Sequence, residues 1–427
     1  MLTTSTSREI TPIDHPLHAT VRVPGSKSLT NRALLIAALA QGTTKLQNAL
    51  FSDDSRFFAK ALQILGFDIQ LEEDKQEMTI TGLGGNIPAN SAELFVGNAG
   101  TAARFLTAFL TLGHGAYRLD GDSRMRERPI QDLIDALNQL GVELEARNNC
   151  PPVEIFAKGL MGGKTKIAGD ISSQFLSALL MVAPNARSAI EIKVTTKLNS
   201  KPYVDMTIAI MKDFGVEIAR QDYRRFSVQP ASYLPINHYP IESDASAASY
   251  FFAAPAICGG TVRVENISRT SKQGDIAFLN ILEKMGCIIQ EGADFLEITG
   301  TGALIGVDVD MGDIPDTAQT LAVLAPFASS PTRIRGIASA RVKETDRVHA
   351  TCTELRRLGI SVKEHEDGMT IDPCDEIKPG TIQTYNDHRM AMAFALIGLH
   401  APGICIENPS CVSKTFPNYF DVLDTLR

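Results

Sequence analysis

One pattern returns six times along this chain and limits its fold more than any other feature. A small polar start opens an Ala-rich apolar stretch at Ser26-Lys27-Ser28, Asn98-Ala99-Gly100, Ser172-Ser173-Gln174, Asp244-Ala245-Ser246, Asp316-Thr317-Ala318 and Asp387-His388-Arg389. The steps between these starts are 72, 74, 72, 72 and 71 residues. Ser, Asn and Asp suit the position before a helix, because their side-chain oxygens accept from a backbone N–H one turn on. A second signal keeps the same beat: Leu65-Gly66-Phe67, Leu140-Gly141-Val142, Phe214-Gly215-Val216, Met285-Gly286-Cys287 and Leu358-Gly359-Ile360 each read as a helix end, a glycine cap and a new strand. A third is a short strand running into a polar loop, as at Lys45 to Asn48, Arg118 to Gly121, Val262 to Asn266 and Ile404 to Asn408. Three signals in phase predict six copies of one α/β unit.

At 427 residues the chain is too long for one small core, so two domains are expected. The break falls where Pro230, Pro235 and Pro240 crowd residues 228–243, with three repeats before it and three after. The predicted division is 24–242 against 1–23 plus 243–427. The second domain needs the N-terminal strand to complete its set, and the first residues read as a loose start to that strand. A net charge of −8, from 41 basic and 49 acidic residues, argues against a general nucleic-acid binder. No run is long and apolar enough to span a bilayer. The polar start Met1 to Arg8 lacks a signal-peptide core, so a cytoplasmic protein is expected. Seven scattered cysteines form no C-x-x-C pair and read as reduced thiols, and eight histidines show no zinc spacing; no metal site is predicted.

The repeat starts also gather chemistry. The first N–H groups of a helix lack partners and its dipole favours an anion there. Asn98, Gly100 and Thr101 sit at such a start, and Gly100 leaves the backbone open to close approach. Lys27, Ser28 and Arg32 offer two cations and a hydroxyl, with Ser28 and Arg32 four apart on one helix face. Ser172, Ser173 and Gln174 add hydroxyls and an amide. Ser200 and Tyr203 flank Pro202, which suits a first helical turn. Arg124-Met125-Arg126-Glu127-Arg128 packs three arginines ahead of a helix over 130–140. The densest stretch is Arg341-Val342-Lys343-Glu344-Thr345-Asp346-Arg347, where cations flank Glu344 and favour its ionised form unless burial opposes them. Any one of these reads equally well as a helix cap or a solvated charge run. Together, Lys27, Arg32, Arg104, Arg124, Lys343, Arg347, Arg389 and Lys414 focus positive potential on an acidic protein. That implies small substrates rich in phosphate and carboxylate, which arginine grips bidentately. The absence of GxxxxGK[ST] argues against an ordinary nucleotide-phosphate loop. Asp316, Glu344 and Lys27, with His388 behind them, are the candidate acids and bases.

Pro24 through Arg32, Gly97 through Thr101, Arg124 through Pro129, Arg341 through Arg347, Asn386 through Arg389 and Lys414 through Pro417 resemble, in order and over nearly the whole chain, the motifs of the 5-enolpyruvylshikimate-3-phosphate synthase (3-phosphoshikimate 1-carboxyvinyltransferase) family. The resemblance implies the enolpyruvate transferase fold: an α/β two-domain inside-out α/β barrel of six βαβαββ repeats, three per domain, with substrates bound in a closing cleft. It implies a monomer that joins shikimate 3-phosphate to phosphoenolpyruvate in the shikimate pathway and releases phosphate, without metal or organic cofactor. Matched residue by residue, shikimate 3-phosphate would meet Lys27, Ser28, Arg32, Ser172, Ser173, Gln174, Ser200, Tyr203, Asp316, Ser339 and Lys343. Phosphoenolpyruvate would meet Lys27, Asn98, Gly100, Thr101, Arg124, Gln174, Arg347, His388, Arg389 and Lys414. Asp316 resembles the base towards the acceptor hydroxyl, Glu344 the proton donor to the methylene, and Lys27 a phosphate holder that assists proton transfer.

Two positions depart from the family pattern: Ser339 stands where members often have asparagine, and Phe105 where many have proline. Gly100 is retained, which implies sensitivity to the family's inhibitor glyphosate. The sister enzyme acting on UDP-N-acetylglucosamine usually carries a reactive cysteine where this chain has Asp122-Ser123-Arg124-Met125, and no cysteine precedes Cys150. A non-catalytic anion-binding protein would have no call for both Asp316 and Glu344.

Overall fold

The structure, a computed structural model, describes residues 7–427. The first six residues of the expected loose start lie outside the described residues. Two compact units emerge. One takes in the described part of Met1–Pro24 together with Ser243–Arg427, and the other is Gly25–Glu242. Each has its own hydrophobic core.

The repeat is clearest in the second copy. Strand Ser91–Phe95 leads to helix Gly100–Leu110, strand His114–Asp120, helix Gln131–Asn138, and a hairpin of Glu143–Ala146 and Val153–Lys158. The first two strands pair in parallel and the hairpin adds antiparallel. Among the described residues there are six small sheets, five with four strands and one with three. Two repeats take their first strand from far along the chain. Tyr239–Pro240 pairs in parallel with Gln41–Gln47, and Leu17–Val21 pairs in parallel with Gly260–Glu265. The sixth repeat departs from βαβαββ. Its sheet holds Gly380–Ile382, Ile404–Glu407 and, antiparallel, Ser7–Ile10. The chain turns into helix Tyr419–Asp424 instead of a last hairpin, so the N-terminal strand closes that sheet.

The helices fall into two kinds. Gly100–Leu110, Ala318–Leu324 and His388–Gly398 are buried along their whole length, and Ala245–Cys258 is buried from Ala245 to Ile257. Their alanines let neighbouring backbones approach closely. Others, such as Asp53–Ile64 and Gln131–Asn138, bury one face only, as a helix between core and solvent should. The buried helices of one unit start at a common end. Asn31 bonds Thr101 at 2.6 Å and Arg32 bonds Ser177 at 3.4 Å, all within the first two turns of helices Lys27–Leu39, Gly100–Leu110 and Ser173–Val182. In the other unit Ser249 meets Thr320 at 3.0 Å and Arg389 meets Asp316 at 2.9 Å. Gly66, Gly141, Gly215, Gly286 and Gly359 all have φ between +84 and +107°, the left-handed conformation of a helix stop. Among the described residues, no helix is long and apolar enough to cross a membrane.

Leu17 is fully buried in the strand that completes the fourth sheet. Leu17→Ala should lower stability by about 2–5 kcal/mol, seen as a lower urea midpoint with unchanged slope. A loss below about 1 kcal/mol would show that this strand is not part of the cooperative core.

Candidate active site

The caps at the repeat starts sort the polar residues. Ser26, Ser172, Asp244 and Asp387 each accept from a backbone N–H of the helix they precede. Asn98 does not. Helix Gly100–Leu110 has Ala99 at its cap position, and the Asn98 Oδ1 and carbonyl accept from Arg128 Nη1 at 2.9 and 3.1 Å instead. Asp316 does not cap either. It lies in the turn Pro315–Thr317, and its carboxylate faces cations.

Those cations make the densest cluster in the Ser243–Arg427 segment. Asp316 Oδ1 accepts from Arg347 Nη1 at 3.0 Å and from Lys343 Nζ at 3.4 Å, while Oδ2 accepts from Arg389 Nη2 at 2.9 Å. Arg347 reaches further. Its Nε donates to Asp387 Oδ2 and its Nη2 to Glu344 Oε2, both at 2.8 Å. Lys414 Nζ lies 3.9 Å from the other oxygen of Glu344. Burial works against the charge on Arg347, yet Asp387, Glu344 and Asp316 outweigh it and hold its pKa above the ordinary value. His388 is fully buried, its Nδ1 3.5 Å from Asp387 Oδ1. Tyr250 is buried beside the group; burial pushes its phenol up to about 12, with Arg389 acting in the opposite direction. Four cations and three carboxylates thus share one small volume, with Arg347 bonded to all three carboxylates. Ser339 sits in the turn Ala338–Val342 leading to Lys343. Arg341 turns away, bonding Asp346, Glu364 and the carbonyl of His365.

The Gly25–Glu242 unit holds a second set. Lys27 begins helix Lys27–Leu39, with its Nζ 3.5 Å from Asp54 Oδ2. Arg32 is buried. It donates to Thr207 Oγ1 at 2.7 Å, the Ser28 carbonyl at 3.0 Å, the Tyr203 carbonyl at 3.2 Å and Ser177 Oγ, and lies 5.2 Å from the centre of the Phe105 ring. Burial pulls its guanidinium down to about 10, which Tyr203 partly offsets. Arg32 therefore holds Ser28 and Tyr203 in place from beneath. Phe105 is fully buried core. Gly100 opens its helix in contact with Arg128: a Cβ there would come within 2.5 Å of Arg128 Nη2. Arg104 packs inward on Met125 Sδ and the Pro129 carbonyl. Arg124 bonds Glu127 at 2.7 Å near the surface. Ser172 is a cap, Ser173 and Gln174 begin helix Ser173–Val182, and Ser200 takes a left-handed φ of +54° before helix Lys201–Asp213. Asp54, Asp387 and Tyr250 join these groups without having been singled out as ligand residues, and Arg128 comes from the three-arginine loop in which only Arg124 was assigned a ligand role.

The family model for EPSP synthase (3-phosphoshikimate 1-carboxyvinyltransferase) matches residues 12–423. The chain belongs to that family. It is 51% identical over 413 residues to the 3-phosphoshikimate 1-carboxyvinyltransferase of Nostoc sp. (strain PCC 7120), covering 96% of this chain and 97% of that one. A relative of the same description from Sulfurovum sp. (strain NBC37-1) is 50% identical over 410 residues, covering 95% and 96%. Among solved structures, an EPSP synthase from Acinetobacter baumannii superposes with a TM-score of 0.83 over 98% of both chains at 24% identity, a likeness of fold. The six small mixed sheets are those of an EPSP synthase fold.

In this EPSP synthase family member Asp387 both caps a helix and neutralises Arg347. Asp387→Ala should cost about 3–5 kcal/mol, because it leaves a buried cation short of a partner. Asp387→Asn, which keeps an acceptor for the cap, should cost less. Urea unfolding of both variants checks this; equal losses would mean that the cap contributes nothing beyond the ion pair.

Proposed function

We propose that the chain transfers the carboxyvinyl group of phosphoenolpyruvate to the 5-hydroxyl of shikimate 3-phosphate, with the two cation sets described above as its substrate-binding groups. The transferase activity and its place in the shikimate pathway follow from family membership. The observation that carries the residue assignment is the meeting of Asp316, Glu344, Lys343, Arg347, Arg389 and Lys414 in one cluster.

The reaction sets the requirements. The acceptor hydroxyl must lose a proton as its oxygen attacks C2 of phosphoenolpyruvate, and the methylene carbon must gain one. A tetrahedral intermediate then loses a proton from the new methyl group as phosphate leaves, which restores the double bond. In this reading Asp316 takes the hydroxyl proton and Glu344 delivers one to the methylene and later recovers it. Arg347 and Arg389 hold the carboxylate of phosphoenolpyruvate, and Lys27, Arg124 and Lys414 hold its phosphate. Gly100, Asn98, Thr101 and Gln174 shape that site. Ser28, Ser172, Ser173, Gln174, Ser200, Tyr203 and Lys343 hold shikimate 3-phosphate, with Arg32 supporting from beneath. Both substrates are anions, so the cations offset their mutual repulsion as well as charge developing during addition. Placing the two substrates together removes much of the entropic barrier to their union.

Glu344→Gln should leave substrate binding nearly intact and lower turnover by about 100-fold or more. Phosphate release under saturating substrates measures this, and near-normal turnover would remove Glu344 from the mechanism. Gly100→Ala pushes a methyl group against the Arg128 guanidinium. It should raise KM for phosphoenolpyruvate by about tenfold or more while KM for shikimate 3-phosphate changes little. Equal changes in both constants would place Gly100 outside the phosphoenolpyruvate site.

A further inference from the structure

The sheet of Gly163–Ile167, Ile190–Val194, Arg225–Val228 and Ala219–Gln221 turns one face away from its helices, and no residue assigned above lies on it. Side chains alternate across a sheet, so residues of one parity share that face. Register sets Lys166 opposite Lys193, and Lys193 opposite Arg225. With neighbouring strands about 4.8 Å apart, three cations stand in a row about 10 Å long. Like charges directly opposite one another destabilise a sheet. No direct ion pair among the described residues relieves this row. Among the described residues, neither Lys166, Lys193 nor Arg225 has an ion-pair or hydrogen-bond partner for its side-chain charge. Glu191, on the same face, is 3.0 Å from Lys164 instead. Arg220 belongs to the opposite face, where Asp205 holds it. The edge strand is fixed in place. Gln139 Oε1 accepts from the Lys166 N–H at 2.9 Å, and its Nε2 donates to the Lys166 carbonyl at 3.3 Å. A cavity of about 700 Å³ lies over these side chains, within the range of small-molecule sites.

We propose that this face is a second anion site, taking a small oligophosphate whose phosphates lie along Lys166, Lys193 and Arg225. Arg225 grips one phosphate through its planar fork, and the two lysines act as mobile point charges. The row is too short and the protein too acidic for an extended nucleic-acid backbone. A nucleoside triphosphate and an inorganic oligophosphate present the same chemistry to it.

Calorimetric titration of the full-length protein with ATP and, separately, with tripolyphosphate tests the proposal. One saturable site is expected on this face. The double variant Lys193→Glu/Arg225→Glu should weaken it by about tenfold or more, since charge-assisted bonds are lost. Its turnover of phosphoenolpyruvate and shikimate 3-phosphate should stay unchanged without oligophosphate. Equal affinity for both probes would mean that the phosphate chain alone is read, and tighter ATP binding that the nucleoside is read too. Lys193→Gln gives a second readout: it should raise the thermal midpoint of the free protein, by relieving like-charge repulsion, while weakening oligophosphate binding. Affinity unchanged in the double variant, or no saturable binding at millimolar probe, would overturn the proposal. So would binding that is only competitive with phosphoenolpyruvate, or a preference of this face for duplex DNA over both small anions.

Discussion

Buried parallel helices that begin at a common end are the constraint on which the rest depends. Each helix start carries roughly half a positive charge and several N–H groups without intrahelical partners. Bringing three such starts together in one unit multiplies both effects. The ties that hold them are polar contacts within the first two turns: Asn31 with Thr101, Arg32 with Ser177, and Ser249 with Thr320. An all-parallel arrangement needs a long return for every helix. The sheets supply it: outside the sixth repeat, each buried helix runs into a strand that leads to an outer, half-buried helix and a hairpin. Polar and charged side chains thus collect at the repeat starts because the topology of each unit sends its repeats back to the same end.

The cluster around Arg347 shows what this placement costs. Buried ion pairs seldom stabilise a fold relative to apolar packing, because desolvation consumes the Coulombic gain. Arg347 nonetheless lies among Asp316, Glu344 and Asp387, with Lys343, Arg389 and Lys414 at the margin. Stability does not account for four cations within reach of one another; the anionic substrates of the proposed reaction would. The Gly25–Glu242 unit solves the same problem differently. There Arg32 is spent on internal hydroxyls and carbonyls, and Arg128 is set against Gly100, so fixed donors brace the backbone at the helix starts.

Local chemistry made much of this legible. Glycine stops and Ser or Asp starts act within one turn of the chain, so the six-part beat and the need for an N-terminal strand could be read from sequence. Closure of the sixth sheet by Ser7–Ile10 could not, because the missing hairpin shows only once Tyr419–Asp424 is seen as a helix. The candidate site divides along the same line. Lys343, Glu344 and Arg347 stand out as a dense local run. Asp54, Tyr250 and Asp387 join through contacts far apart in sequence, and each passes in isolation for a cap or a core residue. Among the three arginines of residues 124–128, nothing local says that Arg126 pairs with Asp120, Arg124 with Glu127, and only Arg128 turns in under Gly100. Asn98 misled for a related reason: a good capping residue was taken by an arginine from thirty residues on.

The most direct test of the central claim is phosphate release from phosphoenolpyruvate with shikimate 3-phosphate or UDP-N-acetylglucosamine as the acceptor. Release with the shikimate ester alone is the predicted result. Release with the nucleotide sugar alone, or with neither from folded protein, would contradict the assignment of the acceptor and of the groups that hold it.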